Sequence, residues 1–162
     1  MLEKNQQLRI GIAEGGVIQG EGRIFTRGLG SCVGLVLYDA CTHIAGMVHI
    51  MLPYSPEKAP LAPQKYADTG ISWLFETLVD LGVNLACLKA KYAGGAQMFR
   101  HLTTEALRIG ERNIAAIEEM LDALEIPVIS TDTGGNYGRS VWFEMPSCRL
   151  VIRTATGELR QI

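Results

Sequence analysis

Two apolar runs, Val33-Gly34-Leu35-Val36-Leu37-Tyr38-Asp39 and Ile44-Ala45-Gly46-Met47-Val48-His49-Ile50-Met51-Leu52, flank the short polar segment Ala40-Cys41-Thr42-His43. Both runs are rich in β-formers, and the pattern reads as a β-hairpin closed by a four-residue loop. That loop length sets the register: Asp39 opposes Ile44, Gly34 opposes His49, and Cys32, just before the first run, opposes Met51. Side chains alternate between faces, so this register places Cys32 and His49 on one face as diagonal neighbours, with Cα atoms about 7–8 Å apart. A slip of one residue would put them on opposite faces. Gly34, opposite His49, leaves room for the imidazole.

Around the hairpin the chain alternates between sheet and helix. Residues 8–13 and 17–19 read as strands before it, and residues 85–92, 128–130, 140–144 and 150–153 as strands after it. Four prolines between Pro53 and Pro63 exclude a helix or central strand and predict a surface loop. Ala67, Ile71, Leu74, Leu78 and Leu81 recur at helical spacing, and Gly82 offers a left-handed cap. Ile114, Ile117, Leu121 and Leu124 repeat that spacing up to Pro127, while residues 97–110 fit neither pattern. Two main helices against seven or eight strands predict an α/β fold, a layered sandwich with helices packed on a mixed or antiparallel sheet. A doubly wound parallel sheet is disfavoured because the first fifty residues contain no helix.

The 162 residues fit a single domain over 1–162. Hydrophobic residues make up 48% and charged residues 20%, which excludes a disordered chain or a coiled coil. With 15 basic and 17 acidic residues the net charge is −2, so no global field favours nucleic acid. The apolar run over 44–52 is too short to span a bilayer, and the polar start of the chain lacks a secretory signal. A cytoplasmic protein with reduced thiols is expected. Cys32, Cys41, Cys87 and Cys148 contain no C-x-x-C pair, suggesting neither a disulfide framework nor a zinc ribbon. Cys87 and Cys148 read as buried structural thiols.

The chemistry concentrates at Thr26-Arg27-Gly28-Leu29-Gly30-Ser31-Cys32, where a glycine-punctuated turn delivers a cysteine to the start of an apolar strand. An imidazole beside a thiol favours the attacking thiolate and can then protonate a leaving amine. Thr26 could accept a hydrogen bond from the second ring nitrogen and fix the tautomer. Backbone N–H groups around Gly30, Ser31 and Cys32 could form an oxyanion hole. On spacing alone, a catalytic pair and two structural residues both stay open. A zinc site of Cys32, Cys41, His43 and His49 is disfavoured, because Cys41 and His43 lie at the far end of the hairpin. The glycines at 28 and 30 and the segment Gly134-Gly135-Asn136-Tyr137-Gly138-Arg139 precede no predicted helix and read as tight turns, not phosphate loops. His43 and His101 read as solvent-facing loop residues.

Several motifs occur in a specific order: Thr26 through Val33, Gly46-Met47-Val48-His49-Ile50-Met51-Leu52-Pro53, Lys65-Tyr66-Ala67-Asp68, Gly94-Gly95-Ala96, Ile109-Gly110-Glu111-Arg112-Asn113, and Asp132-Thr133-Gly134-Gly135 with Gly138-Arg139. In these the chain resembles the CheD family of bacterial chemotaxis proteins, the chemoreceptor glutamine deamidases. The resemblance implies an α/β sandwich whose active site is similar to that of the deamidase domain in cytotoxic necrotizing factor toxins. It also implies Cys32 as nucleophile, His49 as general base and Thr26 as third member, acting without a cofactor or metal. The implied substrates are glutamine side chains of methyl-accepting chemotaxis receptors, with methyl-ester hydrolysis as a side activity and the phosphatase CheC as partner. Regulation of receptors and CheC by binding alone is the alternative, and a generic cysteine amidase a weaker one. Gly94-Gly95-Ala96 and Gly134-Gly135 would shape the site, Asp132 and Arg139 would form an ion pair near it, and the 53–63 loop would border the cleft.

Overall fold

The computed structural model describes residues 3–99, 104 and 108–162. Its elements in chain order are β1 (Glu3–Ile10), β2 (Gly15–Leu29), β3 (Val33–Asp39), β4 (Ile44–Ile50), α1 (Ala67–Asp80), β5 (Leu88–Gly94), α2 (Ile109–Ala123), β6 (Val128–Thr133), β7 (Arg139–Met145), β8 (Arg149–Thr154) and β9 (Leu159–Gln161). The strands form one mixed sheet in the order β6-β5-β3-β4-β2-β7-β8-β9, with β1 paired to β2. The β1–β2 and β5–β6 pairs are parallel, and the other pairs are antiparallel.

The sheet doubles over along β2. The first part of this strand, Gly15 to Gln19, pairs with β4, and the part from Gly22 to Leu29 pairs with β7. Between them Gly20 takes φ +95°, a left-handed conformation that glycine adopts without strain. The result is three layers: the helices, an inner sheet of β6-β5-β3-β4 with the start of β2, and an outer sheet of β1, the rest of β2, β7, β8 and β9. One apolar cluster (Leu35, Leu37, Val48, Ile71, Leu74, Ile117) fills the space between helices and inner sheet. A second (Ile24, Val36, Met47, Val141, Phe143, Ile152) fills the space between the sheets. The inner sheet is therefore covered on both faces, which explains why every residue of β3 and β4 is buried and why both runs are apolar at nearly every position.

The hairpin register agrees with the sequence reading: Gly34 pairs with His49 and Asp39 with Ile44. Ala67, Ile71, Leu74 and Leu78 form the buried face of α1, and Gly82 follows it at φ +91°. In α2 the buried stripe is rotated from the expected one. Gly110, Asn113, Ala116, Ile117 and Leu121 are buried, while Ile114 and Leu124 pack at its margin. The expected strand over 17–19 is a fragment of the 15-residue β2, and β9 was not foreseen.

The cysteine reading needs correction. Cys41 and Cys87 form a disulfide, because pairing of Asp39 with Leu88 across β3 and β5 brings the two flanking segments together. Only Cys32 and Cys148 are free, and Cys87 and Cys148 are half-buried rather than buried. His101 lies outside the described residues. Among those described, no helix is long and apolar enough to cross a membrane.

Candidate active site

Side-chain parity decides what faces the space between the sheets. In β4, Ala45 and Met47 belong to the inter-sheet cluster, and His49 follows in the same phase. In β3, Val36 and Tyr38 do the same, which sends position 34 to that side as well. Cys32, two residues before Gly34, packs against the inter-sheet cluster and is half-buried. From the opposite sheet, Ile24 and Thr26 of β2 point inward. Cys32, His49 and Thr26 therefore converge between the sheets at one end of the sandwich.

A Cβ on Gly34 would come within 3.2–3.3 Å of Val141, Leu29 and Thr26. The glycine thus lets the Thr26 wall approach the hairpin. This close approach is a reason for glycine at position 34 that the sequence reading does not contain.

Thr26 and His49 are both fully buried. Thr26 Oγ1 lies 2.7 Å from His49 Nδ1 and donates at 2.7 Å to the carbonyl of Ile10. A hydroxyl has one proton, and here Ile10 takes it, so Nδ1 must carry the hydrogen that Thr26 accepts. The neutral imidazole then holds its lone pair on Nε2, which is buried and makes no hydrogen bond among the described residues. Burial pushes the His49 pKa from 6.5 down to about 4. Burial also raises the Cys32 thiol above its ordinary value of 9.0, outweighing a hydrogen bond from its own backbone N–H. The resting site thus holds a thiol and a neutral imidazole, not the preformed thiolate expected from proximity alone.

Three consecutive carbonyls of the cysteine turn are tied down. Gly30 O accepts from Ala96 N and Cys32 O from Gly95 N, each at 2.9 Å, while Ser31 O accepts from Asn113 Nδ2 at 3.0 Å. Across a trans peptide the next N–H points opposite the carbonyl, so this anchoring turns the Ser31 and Cys32 N–H groups to the other side of the turn. Gly94 takes φ +123°, and any Cβ there would collide with Cys32 O. The Gly94-Gly95-Ala96 segment therefore braces the turn directly.

Asn113, the last residue of the Ile109–Asn113 motif, has a role that its sequence position does not reveal. It is fully buried on α2, and its second Nδ2 hydrogen goes to Met51 O at 3.0 Å, two residues past His49. One amide thus links the Cys32 turn to the His49 strand. The available signal was a polar residue one helical turn before Ile117, on the face that turns inward.

Asp132 and Arg139 pair at 2.9 Å, and Arg160 joins the same carboxylate at 2.9 Å. Tyr137 lies beneath both guanidinium groups, at 4.5 and 5.6 Å. Gln97 N donates to Gly135 O, joining this loop to the brace. The segment after Pro53 leans on the helix layer, where Tyr54 donates to Glu119 at 2.6 Å. Cys41 and His43 stay at the far end of the hairpin from Cys32, as expected.

Residues 51–154 match the family model described as CheD chemotactic sensory transduction. That match begins two residues past His49. The relatives reach further. The chain is 49% identical over 150 residues to the chemoreceptor glutamine deamidase CheD of Bacillus velezensis, covering 91% of this chain and 90% of that protein. It is 47% identical over 150 residues to the protein of the same name from Bacillus subtilis, with the same coverages. Against the probable chemoreceptor glutamine deamidase CheD of Caldanaerobacter subterraneus the identity is 47% over 149 residues, covering 91% and 92%.

Proposed function

The chain belongs to the CheD family, and from that membership and the geometry around His49 we propose that it hydrolyses glutamine side-chain amides of chemoreceptors, with Cys32 as nucleophile, His49 as general base and acid, and Thr26 as the residue that orients His49. The observation that carries this reading is the His49 tautomer: Thr26 commits Nδ1 as a donor and leaves a buried, unpaired lone pair on Nε2.

In the proposed reaction, Nε2 takes the thiol proton as Cys32 Sγ attacks the carboxamide carbon. The developing oxyanion is met by backbone N–H groups of the Cys32 turn, with Ser31 and Cys32 as donors. His49 returns the proton to departing ammonia, leaving a thioester. Water then gives a proton to Nε2 and attacks the acyl carbon, and glutamate leaves as the thiol is restored. A receptor methyl ester could enter through the same acyl-enzyme, with methanol leaving in place of ammonia. No step calls for a metal or cofactor.

The test is mass spectrometry of a receptor cytoplasmic fragment incubated with wild type or Cys32→Ala. An amide-to-acid mass gain at a glutamine with wild type only is the expected result. Its absence with both proteins would overturn the enzymatic reading and favour regulation by binding. CheC is proposed as a partner from the family resemblance, and retention of CheC by Cys32→Ala in a pull-down would support a binding role separable from turnover. The fold over 1–162 and a cytoplasmic site of action are part of the same proposal.

A further inference from the structure

The outer sheet turns one face inward and the other to solvent. On the solvent face, β2 presents Arg23, Phe25 and Arg27, β7 presents Ser140, Trp142 and Glu144, and β8 presents Arg149, Val151 and Arg153. Glu144 is paired with both Arg23 and Arg149, neutralising that end of the face. At the other end the balance is lost. Arg27 and Arg153 flank an open cleft of about 560 Å³, whose wall includes Trp142, Ser140 and the buried Arg139 and, among the described residues, no acidic one. Arg139 is committed to Asp132. Arg27 and Arg153 are exposed, and neither is in an ion pair among the described residues. Arg27 lies 5.7 Å from the Phe25 ring, a contact that leaves its guanidinium hydrogens available.

The cleft lies on the opposite face of the outer sheet from the candidate active site, at the same end of β2 and β7. Arg27 directly follows Thr26, so strand alternation sends one side chain to His49 and the next to the cleft. Gly28 and Gly138 line the same cleft at the end of the strands nearest the Cys32 turn.

We propose that this cleft binds an acidic segment of the protein substrate beside the glutamine under attack, Arg27 and Arg153 each engaging a carboxylate. The inference rests on the deamidase reading above. Each turnover converts an amide into a carboxylate, so a substrate with several target glutamines becomes more acidic as it is processed. A substrate already carrying glutamates binds more tightly than its glutamine form, and early turnovers promote later ones.

The experiment compares wild type with Arg27→Glu and Arg153→Gln, singly and together, on a receptor fragment. KM rises about tenfold or more in the double variant, while kcat at saturation and the alkylation rate of Cys32 by iodoacetamide stay at wild-type values. Added salt raises KM for wild type far more than for the double variant. An unchanged KM, or a fall in kcat alone, overturns the proposal. A second measurement does not depend on turnover: anisotropy of a fluorescein-labelled glutamate-rich peptide and its glutamine counterpart on Cys32→Ala. Binding of the acidic peptide, lost in Cys32→Ala with Arg27→Glu and Arg153→Gln added, supports the cleft even if no receptor is deamidated. Equal binding of both peptides, or displacement by an oligonucleotide at lower concentration than by unlabelled acidic peptide, overturns it.

Discussion

The Thr26 hydroxyl accepts the Nδ1 hydrogen of His49 while giving its own proton to the Ile10 carbonyl, so a single side chain fixes the protonation pattern of the imidazole. Thr26→Val keeps the shape but leaves Nδ1–H and the Ile10 carbonyl buried without a partner, at about 1–3 kcal/mol for each. Deamidation by this variant is expected to fall by about 10² or more, as the imidazole loses its imposed tautomer. Thr26→Ser should retain most of the rate. If Thr26→Val were as active as wild type, Thr26 would have no orienting role.

The direction of the two titrations predicts an unusual pH profile. His49 is held neutral down to about pH 4, and the Cys32 thiol stays protonated beyond its ordinary range. The kcat/KM for receptor fragment should therefore be level through pH 6.5, with its acid limb near pH 4. An acid limb near 6.5 would place an imidazole of ordinary basicity in the free enzyme.

The same shift makes folding pH-dependent. The folded pKa of about 4 lies below the ordinary value of 6.5, so the unfolded chain binds the extra proton between those values. This contribution is fully present above pH 6.5 and is lost as pH falls towards 4, by about 3 kcal/mol. Urea denaturation at pH 7 and pH 4.5 measures the loss, and His49→Gln should flatten that part of the dependence.

Asn113 ties two backbone segments that meet at the site. Asn113→Ala leaves the Ser31 and Met51 carbonyls without their buried donor and is expected to cost about 2–4 kcal/mol. Asn113→Asp, which replaces the donor with an acceptor facing two carbonyls, should be worse still. In protein that remains folded at low temperature, Cys32 alkylation by iodoacetamide should change in both variants. An unchanged rate would mean that the turn holds its shape without the amide.

The Cys41–Cys87 bond closes a 46-residue separation, and its reduction should lower stability by about 2–4 kcal/mol. Its end of the β3–β4 hairpin is five residue pairs from the Gly34–His49 pair, about 17 Å at strand spacing. Cys41→Ser should therefore unfold earlier in urea yet deamidate at the wild-type rate. Loss of activity in step with loss of the disulfide would tie that distant end to the site.

The hairpin was legible because a fixed loop length leaves one register, and the register carries Cys32 and His49 with it. Thr26 was legible as a candidate by spacing, but its place on a long strand was hidden. Glycines at 15, 16, 20, 22 and 28 interrupt β2 and read as turns, although two of them permit the bend between sheets and a close approach by β1. The disulfide was not legible, since Cys41 and Cys87 meet only through pairing of β3 with β5. Asn113 was missed because its two acceptors are backbone carbonyls 82 and 62 residues away, which carry no side-chain signature. The resting protonation of Cys32 was missed because proximity argues for an ion pair, whereas burial of both groups argues against it.

The bend of β2 through both sheets has a consequence for the newborn chain. His49 arrives with the inner sheet, Thr26 with the outer one, and the turn bearing Cys32 is braced by a segment some sixty residues downstream. Until the last of these partners docks, Cys32 is an ordinary thiol with no base in a defined tautomer beside it. If Cys32 is the nucleophile proposed above, assembly of the sandwich acts as a safety catch, keeping it unarmed while the chain is still loose enough to meet the wrong glutamines.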